Sequence, residues 1–164
     1  MCGTRGHRGQ IMKKIILVFL LLIGFDAHGD ERECLAENIY FEARNQGFAG
    51  WVAVAQVTLN RVKDTRFPNT ICEVVKQGLT YESGFPIRDK CQFSWYCDGK
   101  PDTILNLQIY GKILDLVAYL VPNGYFDITD GATHYHADYV RPDWAKTKTK
   151  TIEIEDHIFY RWEK

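Results

Sequence analysis

The sequence predicts a single α+β domain dominated by helices, on three observations. Its 164 residues suffice for one hydrophobic core and little more. Long segments between residues 33 and 122 carry helical spacing, interrupted by Gly and Pro stops. The later segments "ATHYHAD" and "KTIEIEDHIFYRW" alternate as short strands do, which predicts a small antiparallel sheet or hairpin. There are no internal repeats and no low-complexity linker to suggest a second domain.

The first stretch stands apart from that domain. From Met12 it reads "MKKIILVFLLLIGFDAHG": two lysines, an apolar run from Ile15 to Ile23, then Ala27 and Gly29 in an A-x-G pattern. This is the layout of a secretory signal peptide cut after Gly29, with Met12 as the expected true start. The run is too short for a confident membrane span. Residues 1–29 are therefore expected to be a leader, and 30–164 the working domain of an exported, periplasmic or extracellular protein.

The first expected helix, about Glu33 to Asn45, contains "CLAENIYFEARNQG". At 100° per residue, Leu35, Asn38, Ile39, Glu42 and Gln46 share one face, while Glu37, Tyr40 and Arg44 share the other. Glu42 thus falls on the inward stripe. "FAGWVAVAQVTLNRV", residues 48–62, has β-branched residues but no turn signal, which predicts a largely buried helix. After Pro68, "NTICEVVKQG" predicts a short helix with Asn69 or Thr70 as N-cap and Gly78 as C-cap. Residues 78–102 have no sustained period and read as a long functional loop. "TILNLQIYGKILDLVAYLVPNG" restores helical spacing, with Asp102 or Thr103 as cap and Ile109, Ile113, Leu116, Val117 and Leu120 on one side. It is expected to be the central core helix.

Export fixes how charge and cysteine are read. Without residues 1–29 the chain keeps 16 basic and 20 acidic residues, a net of −4. With no basic footprint, a nucleic-acid partner is not expected. Cys34, Cys72, Cys91 and Cys97 remain, an even number that favours two disulfides in an oxidising compartment. Three connectivities are open. Cys34 with Cys72 and Cys91 with Cys97 is preferred, because the second pair closes a short loop and the first ties two helix starts. A zinc knuckle is disfavoured by the five residues between the cysteines of "CQFSWYC".

Three clusters compete for the chemistry. Glu42, desolvated by apolar neighbours, would have its neutral form favoured, as a general acid requires; a buried salt bridge to Arg61 or Arg44 is the plain alternative. In "CQFSWYCDG", Gln92 and Ser94 stand beside Phe93, Trp95 and Tyr96, with Asp98 following. Polar groups among aromatic plates suit a saccharide groove, and core packing is the alternative. In "THYHAD", His134 and His136 share one side of a strand and could join His157 or Asp138 around a metal. No metal-binding helix motif accompanies them, so no metal or other cofactor is expected.

"IYFEARNQGFAGWVAVAQVTLNRVKDTRFPNTICEVV" closely resembles the opening of the cell wall hydrolase family typified by the spore cortex-lytic enzyme, with its Y-x-E-A-R-G-E, G-x-x-A-V-A-x-V-x-x-N-R-V and F-P-x-T elements. "CQFSWYCDG", "GATHYHAD" and "DHIFYRW" resemble segments of its Gram-negative and phage-type members. The resemblance spans about residues 34–162. It implies a lysozyme-like fold acting on peptidoglycan glycan strands, commonly as a lytic transglycosylase, with Glu42 as the catalytic acid; separately, a monomer is expected. The chain departs at "EARNQG", where Asn45 and Gln46 replace a G-E pair. Gln92, Phe93, Ser94, Trp95, Asp98, Tyr135 and His136 are the expected sugar contacts. A muramidase-type hydrolase would also need Asp98, Asp102 or Glu82. A zinc-dependent amidase or peptidase would use His134, His136 and His157.

Overall fold

The structure, a computed structural model, describes residues 27–123 and 126–163. The Met12 start and the basic and apolar stretches of the expected leader lie outside the described residues. No helix among the described residues is long and apolar enough to cross a membrane.

Helix α1 (Ala27–Ala43) starts upstream of the expected Glu33 and contains the Gly29 position. It is the centre of the domain, because α2 (Phe48–Lys63), α3 (Ile71–Val75) and α4 (Leu107–Asn123) all pack against it. Three neighbours leave it no single polar face: Leu35, Ala36, Asn38, Ile39, Tyr40 and Ala43 are all buried. This corrects two expectations. Tyr40 is core rather than outward-facing, and α4 is a flank of the core. The flank itself is as expected, with Ile113, Leu116, Val117 and Leu120 buried on one side.

Helix ends are fixed by groups brought from elsewhere in the chain. The Tyr40 hydroxyl accepts from the N–H groups of Leu105 and Asn106 at 3.1 and 2.9 Å, and Asn106 Oδ1 accepts from Ile109 N at 3.0 Å. Asn106, not Thr103 or Asp102, therefore caps α4. Thr70 caps α3, as one of the two expected residues, accepting from Glu73 N at 3.2 Å while donating to Glu73 Oε2 at 2.8 Å. Helix α2 has no acid in its own first turn. Glu155 supplies one, accepting from Gly47 N at 2.6 Å and Gly50 N at 3.2 Å, where a carboxylate complements the helix dipole.

The stretch from residue 78 is not only loop. Strands β1 (Gly78–Thr80) and β2 (Pro86–Cys91) form an antiparallel hairpin, followed by a 3-10 turn, Ser94–Cys97. Gly78 opens β1 instead of capping α3, and a Cβ there would stand 2.8 Å from Cys91 Sγ and 3.0 Å from Cys91 Cα. Both preferred disulfides are present: Cys34–Cys72 joins α1 to α3, and Cys91–Cys97 folds the turn onto β2.

The tail forms an antiparallel sheet in the order β3 (His134–Ala137), β5 (His157–Arg161), β4 (Thr149–Ile154). Across β3 and β5, His134 faces Tyr160, Tyr135 faces Phe159, His136 faces Ile158 and Ala137 faces His157. Side chains alternate between faces, so Tyr135, His157 and Phe159 share one face, and Phe159 packs there with Ala53 and Val57 of α2. His134, His136 and Tyr160 share the other.

Candidate active site

Helix α1 presents successive residues to two different walls. Asn38 and Phe41 meet the disulfide-closed aromatic turn: Trp95 Nε1 donates to Asn38 Oδ1 at 2.9 Å, and the Trp95 ring stacks on Phe41 with centroids 4.6 Å apart. Asn38 is buried and donates in turn to Thr58 Oγ1 of α2 at 3.1 Å. Trp95 is thus anchored by a polar pair inside the core. Beside it, Phe41, Arg44, Trp95, Asp98 and Asp102 line part of a cavity of about 220 Å³. Two larger hollows, of about 470 and 490 Å³, are lined by none of the expected site residues.

Glu42 meets the sheet. Tyr135 Oη donates to Glu42 Oε2 at 2.8 Å. Tyr135 is itself held edge-on by the His157 ring, 5.0 Å away, and by the tilted Phe159 ring at 5.6 Å. No protein hydrogen bond to Oε1 is found among the described residues, and Oε1 is not a sealed orphan atom. Burial raises the Glu42 carboxyl above its ordinary range, against the lowering effects of the Tyr135 hydrogen bond and the Arg61 charge. One oxygen is oriented and the other is left to act. Burial also pushes the Tyr135 phenol well up, as does the neighbouring Glu42, so the phenol stays a donor near neutral pH.

Arg61 of α2 completes this corner. Its guanidinium lies between the rings of Phe93 and Phe67, 4.9 and 5.3 Å from their centroids. Nε donates to Thr133 O at 2.7 Å, while the buried Nη1 has no partner. Burial lowers its pKa to about 10, opposed by the negative influence of Tyr135 and Glu42. It forms no ion pair of 4.0 Å or less with Glu42 among the described residues, so a salt bridge to Arg61 is not what holds the acid.

The expected sugar contacts divide. Tyr135 reaches Glu42, and Trp95 and Asp98 share the cavity beside α1. Gln92 and Ser94 are exposed on the turn without reaching Glu42. Phe93 corrects the expectation: it is 2% exposed and forms the bed of Arg61. His136 is a second correction. It lies on the sheet face opposite Tyr135, its Nδ1–H donating to Ala137 O at 2.8 Å and its Nε2 accepting from Tyr160 Oη at 3.0 Å. The same alternation separates His157 from His134 and His136, so the proposed histidine triad cannot converge. Glu82 stays exposed in the β1–β2 turn. Asp98 is spent on its own turn, accepting from Lys100 N at 2.8 Å with Lys100 Nζ 3.3 Å away, and this holds its carboxyl below the usual range. Asn38 and Arg61, the latter legible in the sequence only as an ion-pair partner, join the site through the fold; a polar residue inside an otherwise apolar helix is the signal for each.

The departure at Gln46 has a local reason. Gln46 Nε2 donates to Asp156 Oδ2 at 2.8 Å, and Gln46 Oε1 accepts from Asp156 N at 3.2 Å. A glutamate there would face Asp156 and the capping Glu155.

A central helix carrying a desolvated acid, flanked by an aromatic turn and a small sheet, defines a lysozyme-like α+β domain. The same fold is found in the catalytic domain of the Bacillus cereus SleB protein, with a TM-score of 0.57 and 28% identity over 81% of this chain and 91% of that one. The catalytic domain of the germination-specific lytic transglycosylase SleB from Bacillus anthracis gives 0.56 and 26%, over 85% and 98%. A family model described as Cell Wall Hydrolase matches residues 45–160, and the chain belongs to that family. Glu42 stands just before the first matched residue. Spore cortex-lytic enzymes are similar in sequence: that of Bacillus cereus is 27% identical over 127 residues, 77% of this chain and 42% of the relative. That of Bacillus subtilis is 26% identical over 125 residues, 76% and 35%. The chain therefore spans about two fifths or less of these relatives' length.

Proposed function

We propose that the chain is an exported enzyme that cleaves peptidoglycan glycan strands as a lytic transglycosylase, with Glu42 as general acid and then general base. In this reading residues 1–29 are removed and residues 30–164 act as a monomer in the periplasm or outside the cell. The observation that carries it is a desolvated carboxyl with one oxygen oriented by Tyr135 and the other unclaimed. In the first step the protonated Glu42 gives its proton to the oxygen between N-acetylmuramic acid and N-acetylglucosamine as the C1–O bond breaks. In the second, the Glu42 carboxylate takes the proton of the muramic 6-hydroxyl as O6 bonds to C1. The proton gained balances the proton given, a 1,6-anhydro end results, and no water is consumed.

The engagement of Asp98 with Lys100 weighs against Asp98 as the second carboxylate hydrolysis needs. Burial and the neighbouring Asp98 charge keep Asp102 above the usual carboxylate range, away from the ionised form that would activate water. Trp95 and Asp98 are the sugar contacts this reading retains. Glu42→Gln is isosteric but cannot cycle a proton. It should fold and lose release of muropeptides by on the order of a thousandfold. The wild type should remain active in EDTA. Retained lysis by the variant, or loss in EDTA restored by zinc, would overturn the reading.

A further inference from the structure

A buried guanidinium with an unmet donor is an expensive feature, since an uncompensated charge in the interior is among the most destabilising things a fold can hold. Arg61 is 4% exposed and clamped between two aromatic rings, with Nε fixed to Thr133 O. This leaves Nη1 without a partner, on a side chain whose Nε is tied to Thr133, two residues before the Tyr135 that holds Glu42. We propose that Arg61 is a positioning residue that serves as the resident counter-ion of Glu42, its free Nη1–H closing onto the Glu42 carboxylate once the acid has given up its proton. The proposal rests on the reading of Glu42 as acid and base.

The physical logic is a two-state one. While Glu42 is protonated it is neutral, needs no cation and is oriented by Tyr135 alone. When the proton moves to the glycosidic oxygen, a full negative charge appears in a poorly solvated place, and a preorganised donor with nothing else to bind is worth most at that moment. Arg61 makes Glu42 a stronger acid for the first step and holds the carboxylate in place for the second. The titratable groups at this corner are Glu42 from α1, Arg61 from α2, Tyr135 from β3 and His157 from β5, which packs on the Tyr135 ring and whose pKa burial lowers; His134 lies on the other sheet face. Burial, and then the charges of Arg61, Lys148 and Arg66, hold His134 neutral, with a pKa of about 3, so it adds no competing charge. An arginine suits the post because it stays charged where lysine would be prone to neutralisation.

The test is the pH–rate profile on purified glycan strands for wild type, Arg61→Met and Arg61→Lys. The basic limb reports loss of the Glu42 proton. Removing the cation should move this limb upward by about one pH unit, because the carboxylate loses its stabiliser, and lower the plateau roughly tenfold or more. Arg61→Lys should return the limb only part of the way toward wild type, because a buried lysine is charged for a smaller share of the time. A lowered plateau with an unmoved limb in Arg61→Met would mean a merely structural arginine. If the variants fail to fold, crystal structures of the wild type below and above its basic limb decide instead. Nη1 should lie within hydrogen-bond distance of Glu42 only above the limb, and a carboxylate bonded to Tyr135 alone in both would overturn the proposal. The crystallographic result does not depend on turnover, so it separates failure of this proposal from failure of the transglycosylase reading, which Glu42→Gln tests alone.

Discussion

Tyr135→Phe isolates the contact that orients the acid. The substitution removes one hydroxyl and leaves a ring of nearly the same shape between His157 and Phe159, so the sheet face should keep its packing. The lost bond is the 2.8 Å contact from Tyr135 Oη to Glu42 Oε2. A hydroxyl bonded to a carboxylate contributes about 1.5 to 3 kcal/mol, and to a neutral carboxyl about 1 kcal/mol. The differential effect on the ionised form is therefore roughly 1.4 kcal/mol, or about one pH unit. Glu42 is raised by burial and lowered by this bond; without it, the basic limb of the pH–rate profile should rise by about one unit. At pH values below the limb the acid remains protonated, and the rate should fall only about three- to tenfold through looser orientation. The assay is release of soluble muropeptides from purified glycan strands across pH, with thermal unfolding to check the fold. A limb that stays put or moves to lower pH would refute the reasoning.

Loss of the Cys34–Cys72 disulfide, which spans 38 positions, should destabilise the domain by about 4 kcal/mol on the chain-entropy estimate. It should lower Tm by about 12 °C or more, against about 2 kcal/mol for Cys91–Cys97, which spans 6. Paired Cys→Ser variants in calorimetry test the order of the two effects. Gln46→Glu should cost about 1 kcal/mol near neutral pH, by losing a hydrogen bond and facing Asp156. Denaturant titration of wild type and variant near neutral pH should show the deficit. His134, neutral in the fold with a pKa of about 3, binds fewer protons than in the unfolded chain. Its contribution is therefore intact above pH 6.5 and lost progressively as pH falls toward 3, and His134→Phe, packed with Phe67, Trp144 and Trp162, should flatten that acid limb in Tm against pH.

What the sequence conceals here is mostly long-range. The inward position of Glu42, the flank residues of α4, Thr70 as a cap and the short Cys91–Cys97 loop follow from spacing and turn chemistry within a few residues. Tyr40 is misplaced by the same reasoning because a one-stripe amphipathic model assumes one packed face, and α1 is packed by three helices. Gly78 looks like a helix stop until Cys91 is known to lie across from it. The hairpin around it is short and its register is interrupted, so no alternation announces it. The shared parity of His134 and His136 is legible, but the pairing of Ala137 with His157, which puts the third histidine on the opposite face, depends on a register set by the fold. Phe93 and Arg61 likewise find each other across thirty-odd positions of chain. The partners of Glu42, Tyr135 at 93 positions away among them, are legible only once the sheet is docked onto the helices.

Digestion in heavy-oxygen water is the most direct test of whether Glu42 works alone. Mass spectrometry of the released muropeptides should find 1,6-anhydro-muramic ends carrying no label, because the attacking oxygen is the sugar's own 6-hydroxyl. Under the same conditions Asp98→Asn should reduce the rate about tenfold or less. Labelled reducing ends would mean that water attacks and that a second acid assists, contradicting the single-carboxylate mechanism.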